Sequence, residues 1–284
     1  MCRWMAWMGQ SILVDELLFN TQHGIVDQSL HSRMGAETTN GDGFGLGWYG
    51  AGEGPAVYHS VAPAWGDQNL RELAGHIESP LFLAHVRAAI GSPIQETNCH
   101  PFRRGRWLFV HNGYIAEFDL LRRDLMLAID PAQFAEVHGS TDTEVVFHLA
   151  VTLGLESDPI GALERTVGLV EAVARDHDVA APVQGTFGVS DGECLWAVRY
   201  ATEGPARSLF ASTEAETLKR LHPDIPRLQR FRPGDRVIVS EPFADLPGAW
   251  KEIPEATAVC VRHGGELEER PFEPRVAAAP ALKA

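Results

Sequence analysis

Met1-Cys2-Arg3-Trp4-Met5-Ala6-Trp7-Met8 opens the chain, and its reading decides what the remaining residues are for. Residues Cys2 to Met8 form an apolar run, which predicts a short buried strand at the N-terminus. Cys2 is small enough to permit removal of Met1, and it then carries a thiol and a free α-amine on one residue. Such an amine has an unperturbed pKa of ~7.7–8.0, so near neutral pH it can act as the thiol's own general base. This is an N-terminal nucleophile arrangement, which needs no separate histidine. The competing reading is an incidental cysteine in a strand, and residues further along must choose between them.

Composition removes several alternatives. The chain has 284 residues and a formal net charge of −14, with 45% hydrophobic and 22% charged residues. That fits a globular protein with a substantial core. An acidic chain without a basic run is a poor ligand for nucleic acid. Cys2, Cys99, Cys194 and Cys260 show no C-x-x-C spacing, which argues against a structural zinc site or a disulfide framework and suits a reducing cytoplasm. A secretory leader and a run of roughly 20 apolar residues are both missing, so a cytoplasmic protein with no membrane segment is expected.

Along the chain, Ser11 to Leu18 reads as a helix start with Ser11 as N-cap, and His23 to Thr39 as a long loop. Asn40-Gly41-Asp42-Gly43-Phe44-Gly45-Leu46-Gly47-Trp48-Tyr49 carries alternating glycines. The spacing is not that of a dinucleotide fingerprint, and an aromatic strand follows where a helix is required. Close backbone approach over a buried site is the better explanation. Helices are predicted over 69–77, 118–129, 145–153 and 160–175, with Ser140 to Glu144 as a capping box before the third. Strands are predicted at 81–87 and 107–111, the latter closed by an Asn112-Gly113 turn. Further strands are predicted at 186–190, 194–198, 208–212, 236–240, 257–261 and 267–272. Strands, then helices, then strands without βαβ alternation imply an α+β layered fold. The expected domain covers 2–272, and 273–284, rich in Ala and Pro, reads as a flexible C-terminal tail, disordered or loosely docked.

Amide hydrolysis by a thiol needs oxyanion donors and groups that hold the substrate. The Asn112 amide and the Gly113 backbone N–H can converge on one oxygen, although a plain turn also explains the pair. Arg87 ends an apolar strand, where its guanidinium could grip a carboxylate or form an internal ion pair. Asp142 could meet a substrate ammonium or simply favour the helix dipole. None of the twelve histidines has a spacing with precedent as a metal site, so each reads as a hydrogen-bonded buried or surface residue, and no metal or organic cofactor is expected.

Taken in order, Cys2, His85-Val86-Arg87, Asn98-Cys99-His100-Pro101-Phe102, His111-Asn112-Gly113 and Thr141-Asp142-Thr143-Glu144 resemble the glutaminase domain of class II glutamine amidotransferases, which are N-terminal nucleophile hydrolases. The opening Met-Cys-Arg-Trp, Asn40 to Tyr49, and Ser240-Glu241-Pro242 with Trp250 and Ile253-Pro254 look most like the stand-alone YafJ-like branch. That branch includes γ-glutamyl hydrolases of ergothioneine synthesis and glutathione breakdown. The resemblance implies a four-layer αββα sandwich with Cys2 on a central strand. It implies that Asn112 and Gly113 form the oxyanion hole, that Arg87 binds an α-carboxylate and that Asp142 binds an α-ammonium. Ala88 and Ile90 depart from a Trp and a Thr frequent in the family's glutaminases, which puts strict preference for free glutamine in doubt.

The implied activity is hydrolysis of a γ-glutamyl amide through a Cys2 thioester. Three rivals follow from the same residues. One is a glutaminase subunit feeding ammonia to a partner synthase. Another is an amidase of the penicillin- or bile-acid-hydrolysing kind, disfavoured by the Arg87 and Asp142 pair. The third is a catalytically idle regulatory protein on the same fold. Whether the chain forms a homo-oligomer is open from the sequence.

Overall fold

The structure, a computed structural model, describes residues 2–35 and 38–276. Among these residues, thirteen strands form two antiparallel sheets. The strands are β1 (Arg3–Leu13), β2 (Phe44–Trp48), β3 (Ala56–Ser60), β4 (Glu78–Val86), β5 (Phe102–Arg104), β6 (Trp107–Ile115) and β7 (Val183–Ser190). They continue with β8 (Cys194–Ala201), β9 (Phe210–Ser212), β10 (Arg236–Val239), β11 (Trp250–Glu252), β12 (Thr257–Arg262) and β13 (Leu267–Pro271). One sheet runs β11-β9-β10-β1-β4-β2-β3 and the other β13-β12-β8-β7-β6-β5.

Side-chain alternation sorts these strands into three cores. Trp4, Ala6 and Met8 of β1, Leu81 and Leu83 of β4, and Leu108 and Val110 of β6 fill the space between the sheets. The alternate residues of β1 and β4, Met5, Trp7, Phe82, Ala84 and Val86, pack outward on Leu17, Leu18, Ile25, Val26 and Leu70 of the helices on that side. Phe109, Ile115 and Phe187 face the other helical layer, built from Phe118–Leu127, Asp142–Thr152 and Pro159–Asp176. Helices therefore cover both outer faces of two stacked sheets. The four-layer αββα architecture is present, and the N-terminal strand lies in the middle of its sheet between β10 and β4.

Three local expectations are corrected. β1 does not stop near Met8. After an irregularity it pairs Ile12 with Ser79 and Leu13 with Glu78, so Ser11 caps no helix. Val14 is fully buried and bonds Ile77 O through its N–H, which delays the helix to Asp15–Leu18. Within the expected loop, Ile25–Leu30 is a helix because Ile25 and Val26 have an apolar pocket to fill. Asn112-Gly113 is not a turn: β6 runs straight through it, with Asn112 opposite Thr186 and Gly113 opposite Gly185. Beyond β13, the described residues up to 276 follow the helix Pro159–Asp176. Arg275 N donates to Glu164 O at 3.1 Å, and its guanidinium lies 3.3 Å from the Glu164 carboxylate. The rest of the expected tail and the fate of Met1 lie outside the described residues.

The alternating glycines of β2 do admit close approach. A Cβ on Gly45 would overlap the His100 carbonyl oxygen, and one on Gly47 would meet Leu108 at 3.0 Å. The segment carrying His100 and Pro101 thus lies directly against the strand. Among the described residues no helix is long and apolar enough to cross a membrane.

Candidate active site

β1 and β4 are antiparallel with Arg3 opposite Val86, so one further step places Cys2 beside Arg87. Alternation sends Cys2, Arg87 and, from the facing sheet, Asn112 into the space between the sheets. At this end the space opens as a cleft of about 340 Å³, lined by Cys2, Arg87, Asn112, Gly113 and Asp142 together. Five residues spread over 140 positions of sequence thus share one cavity.

The Cys2 thiol is partly exposed and lies against one peptide unit. Ala88 N–H approaches its Sγ at 3.5 Å, and Sγ lies 3.6 Å from Ala88 O. Burial pushes the thiol pKa above its ordinary 9.0, while the Ala88 contact and the Arg87 guanidinium pull it down and Asp142 raises it. Ala88 is itself held in place. Asp42 N donates to Arg87 O at 3.0 Å, Arg87 N donates to Gly43 O at 2.8 Å, and Ala89 N donates to Asp42 Oδ2 at 2.8 Å. Ala88 therefore contributes through its backbone, where its methyl side chain offers no polar contact. Ile90 lines the mouth and is exposed.

Arg87 is 3% exposed, yet its acceptors are all neutral: Ser92 Oγ at 2.7 Å, Pro93 O at 3.1 Å and Asp42 O at 3.4 Å. Among the described residues no carboxylate forms an ion pair with it. A buried cation without a counter-ion is costly, and an anion entering the cleft would relieve that cost. Asp142 mirrors it. Its carboxylate accepts from Ile115 N at 2.8 Å, Thr143 N at 2.7 Å and Thr143 Oγ1 at 3.2 Å, with no cation paired to it among the described residues. Thr141 caps the helix that begins at Asp142 by accepting from Glu144 N, and the Glu144 carboxylate takes the N–H groups of His138 and Gly139. The Thr141 cap thereby sets the direction of Asp142, while the reciprocal half of the expected capping box is replaced by the Glu144 bonds to His138 and Gly139.

The backbone also directs a donor to the cleft. Ala116 N–H bonds across to Pro182 O of the neighbouring segment, whereas Ile115 N–H is taken by Asp142 on the opposite side. Successive N–H groups alternate in a strand, so Gly113 N–H points the same way as that of Ile115, beyond the end of β5. Gly113 admits no side chain, because a Cβ there would overlap Gln184 O, Gly185 Cα and the His111 ring. Asn112 is 3% exposed, and among the described residues its amide has no hydrogen-bond partner.

Several residues escaped the sequence reading. Asn98 ties two loops at the cleft together: its Nδ2 donates to Pro93 O at 2.9 Å and Ser140 Oγ at 3.1 Å, and its Oδ1 accepts from Ser140 N at 2.8 Å. Pro93 O also accepts from Arg87, so one chain of bonds runs from Arg87 to the residues preceding Asp142. Asp42 clasps Ala89, and Glu241 bonds Arg3. Burial pushes the Glu241 carboxyl up, but the Arg33 N–H, His23 and Arg3 outweigh it and hold the pKa below the ordinary 4.5. The histidines differ from expectation too. His85 is fully buried, its ring 4.1 Å from that of His100, and neither of its nitrogens has a partner among the described residues. Burial lowers its pKa to about 3, so it packs as a neutral aromatic ring. His111 directs Nδ1 to Thr143 Oγ1 at 2.9 Å.

Comparison with known proteins gives this geometry a family. The profile described as glutamine amidotransferases class-II matches residues 17–281; Cys2 precedes the matched segment. The probable glutamine amidotransferase DUG3 of Saccharomyces cerevisiae is 32% identical over 92% of this chain and 82% of its own. The γ-glutamyl-hercynylcysteine sulfoxide hydrolase of Mycolicibacterium smegmatis is 30% identical over 92% of this chain and 96% of its own. A solved class-II domain protein from Silicibacter pomeroyi superposes with a TM-score of 0.70 at 30% identity, covering 96% of this chain and all of that one. The glutamine phosphoribosylpyrophosphate amidotransferase of B. subtilis shares the fold over half its length, with a TM-score of 0.64 at 14% identity. The chain belongs to the class II glutamine amidotransferases.

Proposed function

We propose that the protein hydrolyses γ-glutamyl amides, with Cys2 as nucleophile once Met1 is removed. The observation that carries this reading is the pair of uncompensated charges in the cleft. Arg87 and Asp142 have only neutral hydrogen-bond partners in the described protein, and a glutamyl head brings one carboxylate and one ammonium. The Cys2 thiol passes its proton to its own α-amine and attacks the side-chain carbonyl. A carbon–sulfur bond forms while the Asn112 amide and the Gly113 N–H hold the developing oxyanion; each such donor is typically worth about 2.7–4 kcal/mol in the transition state. Collapse breaks the carbon–nitrogen bond, and the ammonium returns the proton to the departing amine. Water then cleaves the thioester, releasing glutamate and restoring the thiol.

The leaving side supports an amine larger than ammonia. Ile90, Tyr114 and Phe118 line that cleft, and Ile90 and Tyr114 are exposed, which provides an apolar rim. The mycobacterial relative's name, a hydrolase of a γ-glutamyl compound with a bulky amine portion, points the same way.

The test is a hydrolysis panel on protein shown by intact mass to lack Met1, comparing glutamine, glutathione and other γ-glutamyl amides. γ-Glutamyl compounds with larger amines should be cleaved at least as well as glutamine, and Cys2→Ala should abolish turnover. Residual hydrolysis in that variant would sink the mechanism, and glutamine being fastest by far would sink the broader substrate class.

A further inference from the structure

An N-terminal nucleophile has a mechanical problem. With Met1 gone, Cys2 is tethered on its carbonyl side alone, because no preceding peptide limits its rotation. The position of its Cα, and the axis about which the amine and thiol turn, follow the plane of the Cys2–Arg3 peptide, so catalysis requires that the Cys2 carbonyl, which lies in that plane, be held by something outside the strand. β1 pairing begins only at Arg3.

The Arg3 side chain answers this need. It is buried, and its three nitrogens reach three different segments: Nη1 donates to Cys2 O at 2.9 Å, Nη2 to Ser32 Oγ at 2.6 Å, and Nε to Glu241 Oε2 at 2.8 Å. A planar guanidinium held at two corners has its third corner aimed. Glu241 supplies the charged hold and is itself held on every side. Its Oε1 accepts from Arg33 N at 2.8 Å and lies 2.6 Å from His23 Nε2, and its Oε2 accepts from Met34 N at 3.0 Å. One residue earlier, Ser240 bonds Trp4 in both directions, Ser240 N to Trp4 O and Trp4 N to Ser240 Oγ, each at 3.0 Å. The carboxylate therefore projects from a backbone that is locked to the nucleophile's own strand.

We propose that Glu241 is a positioning residue for the N-terminal nucleophile, acting through Arg3, whose guanidinium it orients onto the Cys2 carbonyl oxygen. The proposal rests on Cys2 being the nucleophile. Glu241 touches no substrate; its effect is on the orientation of the peptide plane from which the residue that does projects. Misplacement of a reacting group by about 1 Å costs roughly 10²-fold in rate, which sets the size of the effect.

The experiment uses Met1-free protein and three variants: Glu241→Gln, which keeps the shape and removes the charge; Arg3→Lys, which keeps a charge for Glu241 and loses the reach to Cys2 O; and the double variant. Three quantities are read on folded protein: kcat and KM for a γ-glutamyl amide, the rate of Cys2 alkylation by iodoacetamide, and thermal stability. Each single variant should lower kcat and the alkylation rate by about 10- to 100-fold with KM within about twofold. The double variant should be no slower than the slower single one, because both act through one bond to Cys2 O. A merely structural role would lower thermal stability and leave kcat per alkylatable Cys2 unchanged, and that result overturns the proposal. So do losses that multiply in the double variant. If Glu241→Gln does not fold, Arg3→Lys alone decides by the same criteria. If the wild-type protein cleaves no γ-glutamyl amide, the functional reading fails, and the alkylation rates still decide this one.

Discussion

Two buried arginines flank Cys2, and their surroundings could hardly differ more. Arg3 and Arg87 are each 3% exposed. Arg3 meets a carboxylate that also takes His23 and two backbone N–H groups, so its charge is neutralised within the protein. Among the described residues Arg87 meets a hydroxyl and two carbonyl oxygens and no carboxylate. Equal burial with unequal compensation separates two uses of the same side chain. A charge matched internally fixes geometry, whereas a charge left unmatched beside a cleft is matched by what binds there.

The largest expected effect tests that separation directly. Arg87→Met should lower kcat/KM for a γ-glutamyl amide by about 2–5 kcal/mol of transition-state stabilisation, the range for losing one partner of a desolvated charge pair. Its folding stability should stay within about 1 kcal/mol of wild type, because the lost hydrogen bonds are offset by no longer burying an unpaired cation. Arg3→Met should behave oppositely in stability, losing about 3–5 kcal/mol as Glu241 is left buried without its guanidinium. Urea denaturation of both variants, read beside steady-state kinetics, makes the comparison. If Arg87→Met were the less stable of the two, internal compensation would not be what distinguishes these arginines.

A smaller effect concerns the other cleft charge. Asp142→Asn should reduce kcat/KM by about 1.5–3 kcal/mol, the worth of a hydrogen bond to a charged group. Asp142 also accepts from Ile115 N and Thr143 N, so the variant needs a control that separates substrate from backbone. A glutaryl amide, which lacks the α-ammonium, serves: wild type and variant should cleave it at the same rate. Equal losses on both substrates would assign Asp142 to holding the strand end rather than to the substrate.

The two arginines also mark what the sequence discloses. Alternation along Cys2–Met8 and 81–87 is enough to put Cys2 on the same side of its strand as Trp4, and Arg87 on the same side as Leu81 and Leu83, since a strand's side chains repeat every two residues. The layered α+β class is readable from the order of the elements, strands then helices then strands. Capping chemistry likewise revealed the helix that presents Asp142. What stayed hidden were contacts between distant segments. Nothing local says that Glu241 reaches Arg3, that Asp42 clasps Ala89, or that Asn98 joins Pro93 to Ser140. Asn112-Gly113 misled because the dipeptide suits a tight turn, yet Gly185 across the ladder leaves room for an extended strand. Ser11 misled because apolar spacing at the end of a long strand resembles the first turn of a helix.

The smallest effect is a shift in pH dependence, and it reads the two cleft charges from the side of the Cys2 thiol. Burial holds the Cys2 thiol above its ordinary 9.0, Arg87 lowers it and Asp142 raises it. Because a raised thiol pKa keeps the thiolate fraction growing beyond pH 9, the alkylation rate of the folded wild-type protein should still be rising there. Removing the cation in Arg87→Met should move that rise to higher pH, since the thiolate loses a favourable neighbour. Removing the anion in Asp142→Asn should move it to lower pH. Glu241→Gln should reduce the rate with little displacement along the pH axis, because the side-chain charges that shift the thiol are those of Arg87 and Asp142. Alkylation followed by intact mass between pH 7 and roughly 10.5, a span that brackets ordinary cysteine titration, resolves all three. Shifts of the same sign in Arg87→Met and Asp142→Asn would mean that the thiol responds to altered packing instead of to the two charges.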